Sequence, residues 1–219
     1  HFDSFDSGTG HLWCHLDGEL SIEDSGEFNF RLAGAFDLSP LASLQQLKEV
    51  RLSGENLQDL SPLARLQSLR KLTLRYQTYP DLAPLGQLTG LENLDLAGSD
   101  KITDLEPLAK MTNLKELRLA DNKITNIKPL SGLAKLRQLE LPQNRIRDLI
   151  FLSGLKKLKQ LNLGNNQISG LRPLEGLTNL QSLDLSQNRI RDRIISLVTL
   201  KNLQTLSLSG NQRISEAKK

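Results

Sequence analysis

The feature that most constrains this chain is a repeat. The segment Leu114-Lys-Glu-Leu117-Arg-Leu119-Ala-Asp-Asn122-Lys-Ile124 sets out the pattern L-x-x-L-x-L-x-x-N-x-I, which returns at Leu136, Leu158 and Leu180 and, more loosely, at Leu47, Leu69, Leu91 and Leu203. A second series, Leu41, Leu63, Leu85, Leu108, Leu130, Leu152, Leu174 and Leu197, is spaced by 22 residues five times and by 23 twice. Eight repeats result. One turn of such a coil cannot bury its own apolar face, whereas stacked neighbours can, so a chain with this period is expected to form a solenoid.

Within each repeat the L-x-L pairs, such as Leu94/Leu96 and Leu139/Leu141, put two leucines on one face of a short strand and the residue between them on the other. Strands that recur after each full turn must stack in parallel at about 4.8 Å. Hydrophobic residues make up 38% of the chain and aromatics only 4%, so the core between sheet and opposite wall is expected to be aliphatic. Asn122, Asn144, Asn166, Asn188 and Asn211 stand where the chain leaves the strand and turns inward. A buried amide there can bond the backbone of adjacent turns, which makes this column structural. Glu55, Gln77 and Ser99 replace it in the first three repeats, predicting a less regular ladder there. Proline at 40, 62, 84, 107, 129 and 173 precedes the second leucine series, with Phe151 and Ser196 interrupting the column. Proline is tolerated in a first helical turn, so the convex wall should carry short 3-10 turns. Asp37, Asp59, Asp81, Asp104 and Asp148, three residues before the proline position, and Asp192, four before it, read as turn-forming acceptors.

These marks resemble, over residues 37–215, the 22-residue leucine-rich-repeat class of bacterial internalins and eukaryotic phosphatase-regulatory repeat proteins. The resemblance implies an α/β solenoid, a right-handed coil with a parallel concave sheet and short 3-10 or irregular convex segments. It also implies a protein partner held on the concave sheet and its flanks, often by aromatic residues. Aromatics are scarce here, so no particular ligand carries over.

The expected division is an N-terminal cap over 1–36 and a solenoid over 37–219. Phe28 and Phe30 fall 44 residues before Leu72 and Leu74 and predict a ninth, degenerate strand. Before it, Leu12–Leu16 and Glu19–Ile22 flank Asp17-Gly18, a pair that favours a hairpin turn, with Trp13, Phe28 and Phe30 as cap core. Past Asn211 no polar helix or hairpin pattern follows. The C-terminal end is therefore expected to be uncapped, continued by a further domain or open to dimerisation.

Composition and motifs argue against chemistry. Three histidines are present, and none lies within the repeats. His11, Cys14, His15, Asp17 and Glu19 lack any standard zinc spacing, and Phe5 stands where a calcium loop through Asp3, Asp6 and Gly8 would need an oxygen. No Gly-rich phosphate cradle and no paired nucleophile and base are found, and carboxylates on an open sheet such as Asp95 and Glu140 have nothing to desolvate them. A non-enzymatic module without cofactor or metal is expected. No stretch is apolar enough for a membrane span. The single Cys14 rules out an internal disulfide and points to a reducing compartment, while a start at His1 suggests a processed or excised segment.

The charge is uneven. Residues 1–40 hold eight acidic residues and one Arg, whereas 27 basic and 17 acidic residues follow. The solvent column of the sheet projects as Arg51, Thr73, Asp95, Arg118, Glu140, Asn162, Asp184 and Ser207, with Arg118 set between Asp95 and Glu140 as an exposed ion-pair row. The next column, Ala97, Ala120, Pro142, Gly164, Ser186 and Ser209, is small. Arg75, Tyr76 and Tyr79 form the one concentrated aromatic and cationic group in the repeats, the residue types that carry interface energy. Lys123, Arg145, Gln167 and Arg189, with Arg147 and Arg191, predict a discontinuous basic ridge after the strands, fit to grip acidic protein segments. The partner-binding candidates are thus Arg75, Tyr76, Tyr79, Asp95, Arg118, Glu140, Arg145, Arg189 and Arg191. The expected partner is another protein. The alternatives are a regulatory arm of a larger enzyme such as a GTPase, or an anionic glycan or nucleic acid. Nucleic acid is disfavoured because no aromatics interleave the cations.

Overall fold

A computed structural model describes the backbone of Phe2–Asp6, His11–Cys14, Leu20–Glu23 and Glu27–Leu32, and residues 37–54, 57, 59–76, 81–191 and 194–211. Twelve strands occur there: β1 (Phe2–Asp6), β2 (His11–Cys14), β3 (Leu20–Glu23), β4 (Glu27–Leu32), β5 (Glu49–Gly54), β6 (Lys71–Arg75), β7 (Asn93–Asp95), β8 (Glu116–Arg118), β9 (Gln138–Glu140), β10 (Gln160–Asn162), β11 (Ser182–Asp184) and β12 (Thr205–Ser207). Strands β3 to β12 make one ten-stranded sheet in sequential order. From β4 onward every pairing is parallel, and Phe28 and Phe30 lie opposite Val50 and Leu52 as the degenerate strand requires.

The turn expected at Asp17-Gly18 lies outside the described residues, and among the described residues no pairing joins β2 to β3. β1 pairs antiparallel with β2 as a separate two-stranded sheet, and β3 pairs antiparallel with β4. Chain length explains the β3–β4 pairing. Only 24–26 separate β3 from β4, too few for a crossover, so the strand that leads into the parallel stack must return against it as a hairpin. Asp17 and Gly18 themselves lie outside the described residues, as do the side chains of the first 36 positions.

The register places Leu72, Leu94, Leu117, Leu139, Leu161 and Leu183 in one column, none more than 2% exposed. Across from them Leu63, Leu85, Leu108, Leu130, Leu152 and Leu174 are fully buried at the convex wall. Each leucine withdrawn from water contributes roughly 1.5–3 kcal/mol. The convex wall is a series of 3-10 turns: Ser39–Ser43, Ser61–Arg65, Ala83–Gln87, Glu106–Leu108, Lys128–Gly132, Ile150–Leu152, Arg172–Leu174 and Ile194–Leu197. Six carry proline in the first turn, and the turns at Phe151 and Ser196 form without it. The leucine frame is thus sufficient and proline only favours the geometry. The Asp column leads in: the amides of Ser39, Ser61, Ala83, Glu106 and Ile150 donate to Oδ1 of the Asp two residues earlier at 2.8–2.9 Å. Asn126 does the same for Lys128. Hydrogen bonds from Ser39 and Ser61 hold the Asp37 and Asp59 carboxyls below the usual carboxylate range. Their support is present above that range and lost as pH falls through the lowered value.

Two ladders tie one turn to the next. Asn144 is typical: its Nδ2 reaches the carbonyls of Leu119, Leu141 and Pro142 at 2.9–3.1 Å, and its Oδ1 accepts from the Ile124 amide at 3.0 Å. Asn122, Asn166, Asn188 and Asn211 repeat the arrangement. Ser99 makes only a 3.3 Å bond to the Leu96 carbonyl, and the positions of Glu55 and Gln77 lie outside the described residues. The residue before each of these positions is left-handed: Tyr76, Gly98, Asp121, Gln143, Asn165, Gln187 and Gly210 have φ between 51° and 78°. The amide of each from Tyr76 to Gln187 donates to the carbonyl of the next repeat, as Tyr76 does to Ala97 at 3.0 Å.

Candidate functional site

Three columns of side chains face outward on the concave sheet, set by the period of two along each strand. The first runs Glu49, Lys71, Asn93, Glu116, Gln138, Gln160 and Ser182. The second is the projected row from Arg51 to Ser207. The third holds the small residues, but its N-terminal member on β6 is Arg75.

Asp95 is not the exposed carboxylate that the projection suggested. It is 4% exposed, beneath the Arg75 guanidinium, whose Nε and terminal nitrogen stand 2.8 and 2.5 Å from Oδ2. The hydrogen bond to Asp95 raises the already high pKa of Arg75, so this cation stays charged at any relevant pH. The other carboxylate oxygen accepts the Ala97 amide at 3.1 Å. Arg118 therefore does not bridge Asp95 and Glu140. It pairs with Glu140 and Glu116, both at 3.3 Å, and all three side chains are about one-third exposed. Such pairs are weak and can be exchanged for a partner's groups.

Asn162 and Asp184 also turn back on their own strand, accepting from the amides of Gly164 and Ser186 at 3.0 and 2.8 Å. These half-buried side chains fasten the strand exit, a role that sequence reasoning missed. The signal was present as Asx-Leu-small in Asp95-Leu-Ala97, Asn162-Leu-Gly164 and Asp184-Leu-Ser186. The C-terminal half of the concave face is consequently small and locally satisfied.

Charge gathers in the other half. A depression of about 590 Å³ lies over β5 to β8, with Thr73 on its floor and Arg51, Lys71, Arg75 and Arg118 around it. Glu49 is buried and pairs with both Arg51 and Lys71, the latter at 3.3 Å. Beside this depression Tyr76 is 64% exposed, held in the left-handed conformation with its ring against Gly98. Tyr79 lies outside the described residues. The structure brings together Arg75, Tyr76, Asp95 and Arg118, with Glu140 at their edge through Arg118.

Arg145, Arg189 and Arg191 are exposed on the flank that follows the strands, away from that cluster in sequence and in the strand order. Their neighbours on the flank are occupied. Lys123 pairs with Asp100 at 3.3 Å and Arg147 donates to Gln167 Oε1 at 3.0 Å. Among the described residues there is no group of three or more His, Cys, Asp or Glu side chains placed to hold a metal, and no helix long and apolar enough to cross a membrane.

The repeat geometry is shared with solved proteins. The family model described as Leucine Rich repeats (2 copies) matches 112–154, 135–177, 156–192 and 178–218. The crystal structure of an internalin C2 from Listeria monocytogenes superposes with a TM-score of 0.77 at 32% identity, over 84% of this chain and 80% of that one. The chain belongs to the leucine-rich-repeat family, with repeats of the internalin kind. A second internalin of the same organism, inlF, is 38% identical with a TM-score of 0.76 over 81% of this chain. This leucine-rich-repeat chain spans 53% of the length of that internalin. A TDR receptor, 23% identical with a TM-score of 0.69, shares the fold alone. No curated protein sequence matches. A repeat fold of this kind is a protein-interaction module.

Proposed function

We propose that this chain is a protein-recognition module that takes its partner on the N-terminal half of the concave sheet, around Arg51, Thr73, Arg75, Tyr76 and Arg118. One observation carries the reading. In every other described repeat the left-handed position is filled by Gly, Asp, Asn or Gln, residues short or polar enough to suit it, whereas here a tyrosine occupies it with most of its surface in water. A bulky residue at φ 58° costs conformational energy, and an exposed ring contributes little to the core. The fold gains little from the Tyr76 side chain beyond its contact with Gly98. A partner would gain more, since Tyr and Arg beside a depression are the side chains that carry interface energy. Arg75 belongs to the same reading as a positioned group: anchored on a buried carboxylate, it loses little further entropy on binding.

The test is capture from the native lysate with the wild-type chain and with the double variant Tyr76→Ala, Arg118→Ala. The variant should keep its circular dichroism and melting temperature and bind the captured protein about 30-fold more weakly, as expected for loss of an anchor worth about 2 kcal/mol. A captured protein bound equally by both chains would place recognition elsewhere.

A further inference from the structure

The flank that precedes the strands carries a charge pattern that the fold does not explain. Lys115, Arg137 and Lys159 enter β8, β9 and β10 one residue before each strand. They lie in successive rungs of the backbone ladder, the Arg137 amide donating to the Lys115 carbonyl and the Lys159 amide to that of Arg137, both at 2.8 Å. Rungs of a parallel sheet are about 4.8 Å apart, so three like charges stand in a row at that spacing. Lys135, Lys156 and Lys157 add a second row in the turns just before them. Only Lys115 meets a carboxylate, Glu92 at 2.5 Å, whose own pKa is lowered chiefly by that hydrogen bond. Lys135 and Lys156 end on neutral acceptors, Asn113 Oδ1 at 2.7 Å and the Gly176 carbonyl at 3.1 Å. Arg137, Lys157 and Lys159 are exposed and have no ion pair or hydrogen bond from their side chains among the described residues.

Like charges stacked on adjacent strands oppose folding, and among the described residues only Glu92, beside Lys115, offsets them on this ledge. We infer that the ledge is a binding site for a linear sulfated polysaccharide, separate from the concave protein site. Three features select that occupant. The cations run along the solenoid axis, which suits a linear polyanion laid across successive repeats. No large apolar side chain is exposed among them, the exposed ones among the described residues being Tyr76, Ile150, Ile194, Ile195, Val198 and Leu206, so a peptide finds no anchor. No aromatic ring lies on the ledge, so the bases of a nucleic acid have nothing on which to stack. A sulfated glycan needs neither, because its charge is carried on every few atoms of its length.

The experiment titrates fluorescein-labelled heparin against the whole chain and against two triple or double variants. Arg137→Gln, Lys157→Gln, Lys159→Gln should bind heparin roughly tenfold more weakly and with a shallower dependence on salt, since fewer counterions are released. Its melting temperature should be equal to or above that of the wild type, because repulsion has been removed. The control Lys128→Gln, Arg172→Gln, on the convex 3-10 turns, should bind as the wild type does. Equal heparin binding by the ledge variant, or an equal loss in the control, overturns the assignment. So does wild-type binding of polyglutamate or single-stranded DNA as tight as that of heparin, which would make the partner a protein or a nucleic acid instead. The captured protein of the concave site should be retained by the ledge variant, so the two readings fail independently.

Discussion

Replacing Asn166 by alanine is expected to lower the melting temperature by several degrees while leaving the concave surface in place. The side chain is buried and its Nδ2 reaches the carbonyls of Leu141, Leu163 and Gly164 at 2.9, 3.0 and 3.2 Å, while its Oδ1 accepts the Ile146 amide at 3.0 Å. Two amide hydrogens serve three carbonyls, so one is shared. Alanine removes every one of these bonds and leaves the buried Ile146 N–H without a partner, while the carbonyls of Leu141, Leu163 and Gly164 keep only their bonds from Asn144, Asn188 and Gln143, at about 1–3 kcal/mol. For a chain of this length each kcal/mol is worth about 2–4 °C. Aspartate discriminates between packing and polarity. It has the size of asparagine and can still accept from Ile146, but it sets a carboxylate oxygen against three carbonyls. Asn166→Asp should therefore be less stable than Asn166→Ala at neutral pH. The new carboxyl, buried and facing acceptors, takes a pKa above its unfolded value near 4. With a raised pKa, the folded state binds the extra proton, so the deficit shrinks as pH falls and grows as pH rises through the folded value. Thermal melts between pH 4 and 8 check this. An Asp variant as stable as wild type at neutral pH would remove the ladder from the account.

That ladder was legible in the sequence because it is periodic. Asn122, Asn144, Asn166 and Asn188 recur at the repeat length, and a polar residue recurring at a buried position has one physical use. The Asp column before the 3-10 turns was legible for the same reason. What escaped was not periodic. Asp95 is covered by Arg75, which stands in a different column on the preceding strand, whereas its in-register neighbours are Thr73 and Arg118. A column-by-column projection sees only the in-register pairs, and diagonal reach depends on side-chain length and rotamer. The turn pair at 17–18 is a local signal, whereas the β3–β4 pairing follows from the short link at 24–26 and the β1–β2 pairing from no pattern in the sequence. The cationic ledge is as periodic as the asparagines. Its cations stand one position before the first strand residue and so fall outside the outward columns that the L-x-L pattern defines.

One substitution in one column should give two very different results. Leu161 on β10 lies between Leu139 and Leu183 in register and is 2% exposed, so Leu161→Ala opens a cavity inside the stack, at about 2–5 kcal/mol. Leu206 on β12 continues the same column beside Leu183 but is 42% exposed, and part of its surface is in water already. Leu206→Ala is expected to cost less than about 1.5 kcal/mol, in proportion to the smaller area withdrawn from solvent. Position in the stack adds to the contrast. A solenoid is held by nearest-neighbour interfaces, so a defect at β10 weakens the coupling of the repeats on both sides, while β12 has a strand on one side only among the described residues. Leu161→Ala should therefore broaden the urea transition as well as lower its midpoint, and Leu206→Ala should shift the midpoint slightly with its slope unchanged. Equal losses at the two positions would mean that Leu206 is covered in solution. If a second copy does the covering, the wild-type melting temperature would rise with protein concentration, which a dilution series reads directly.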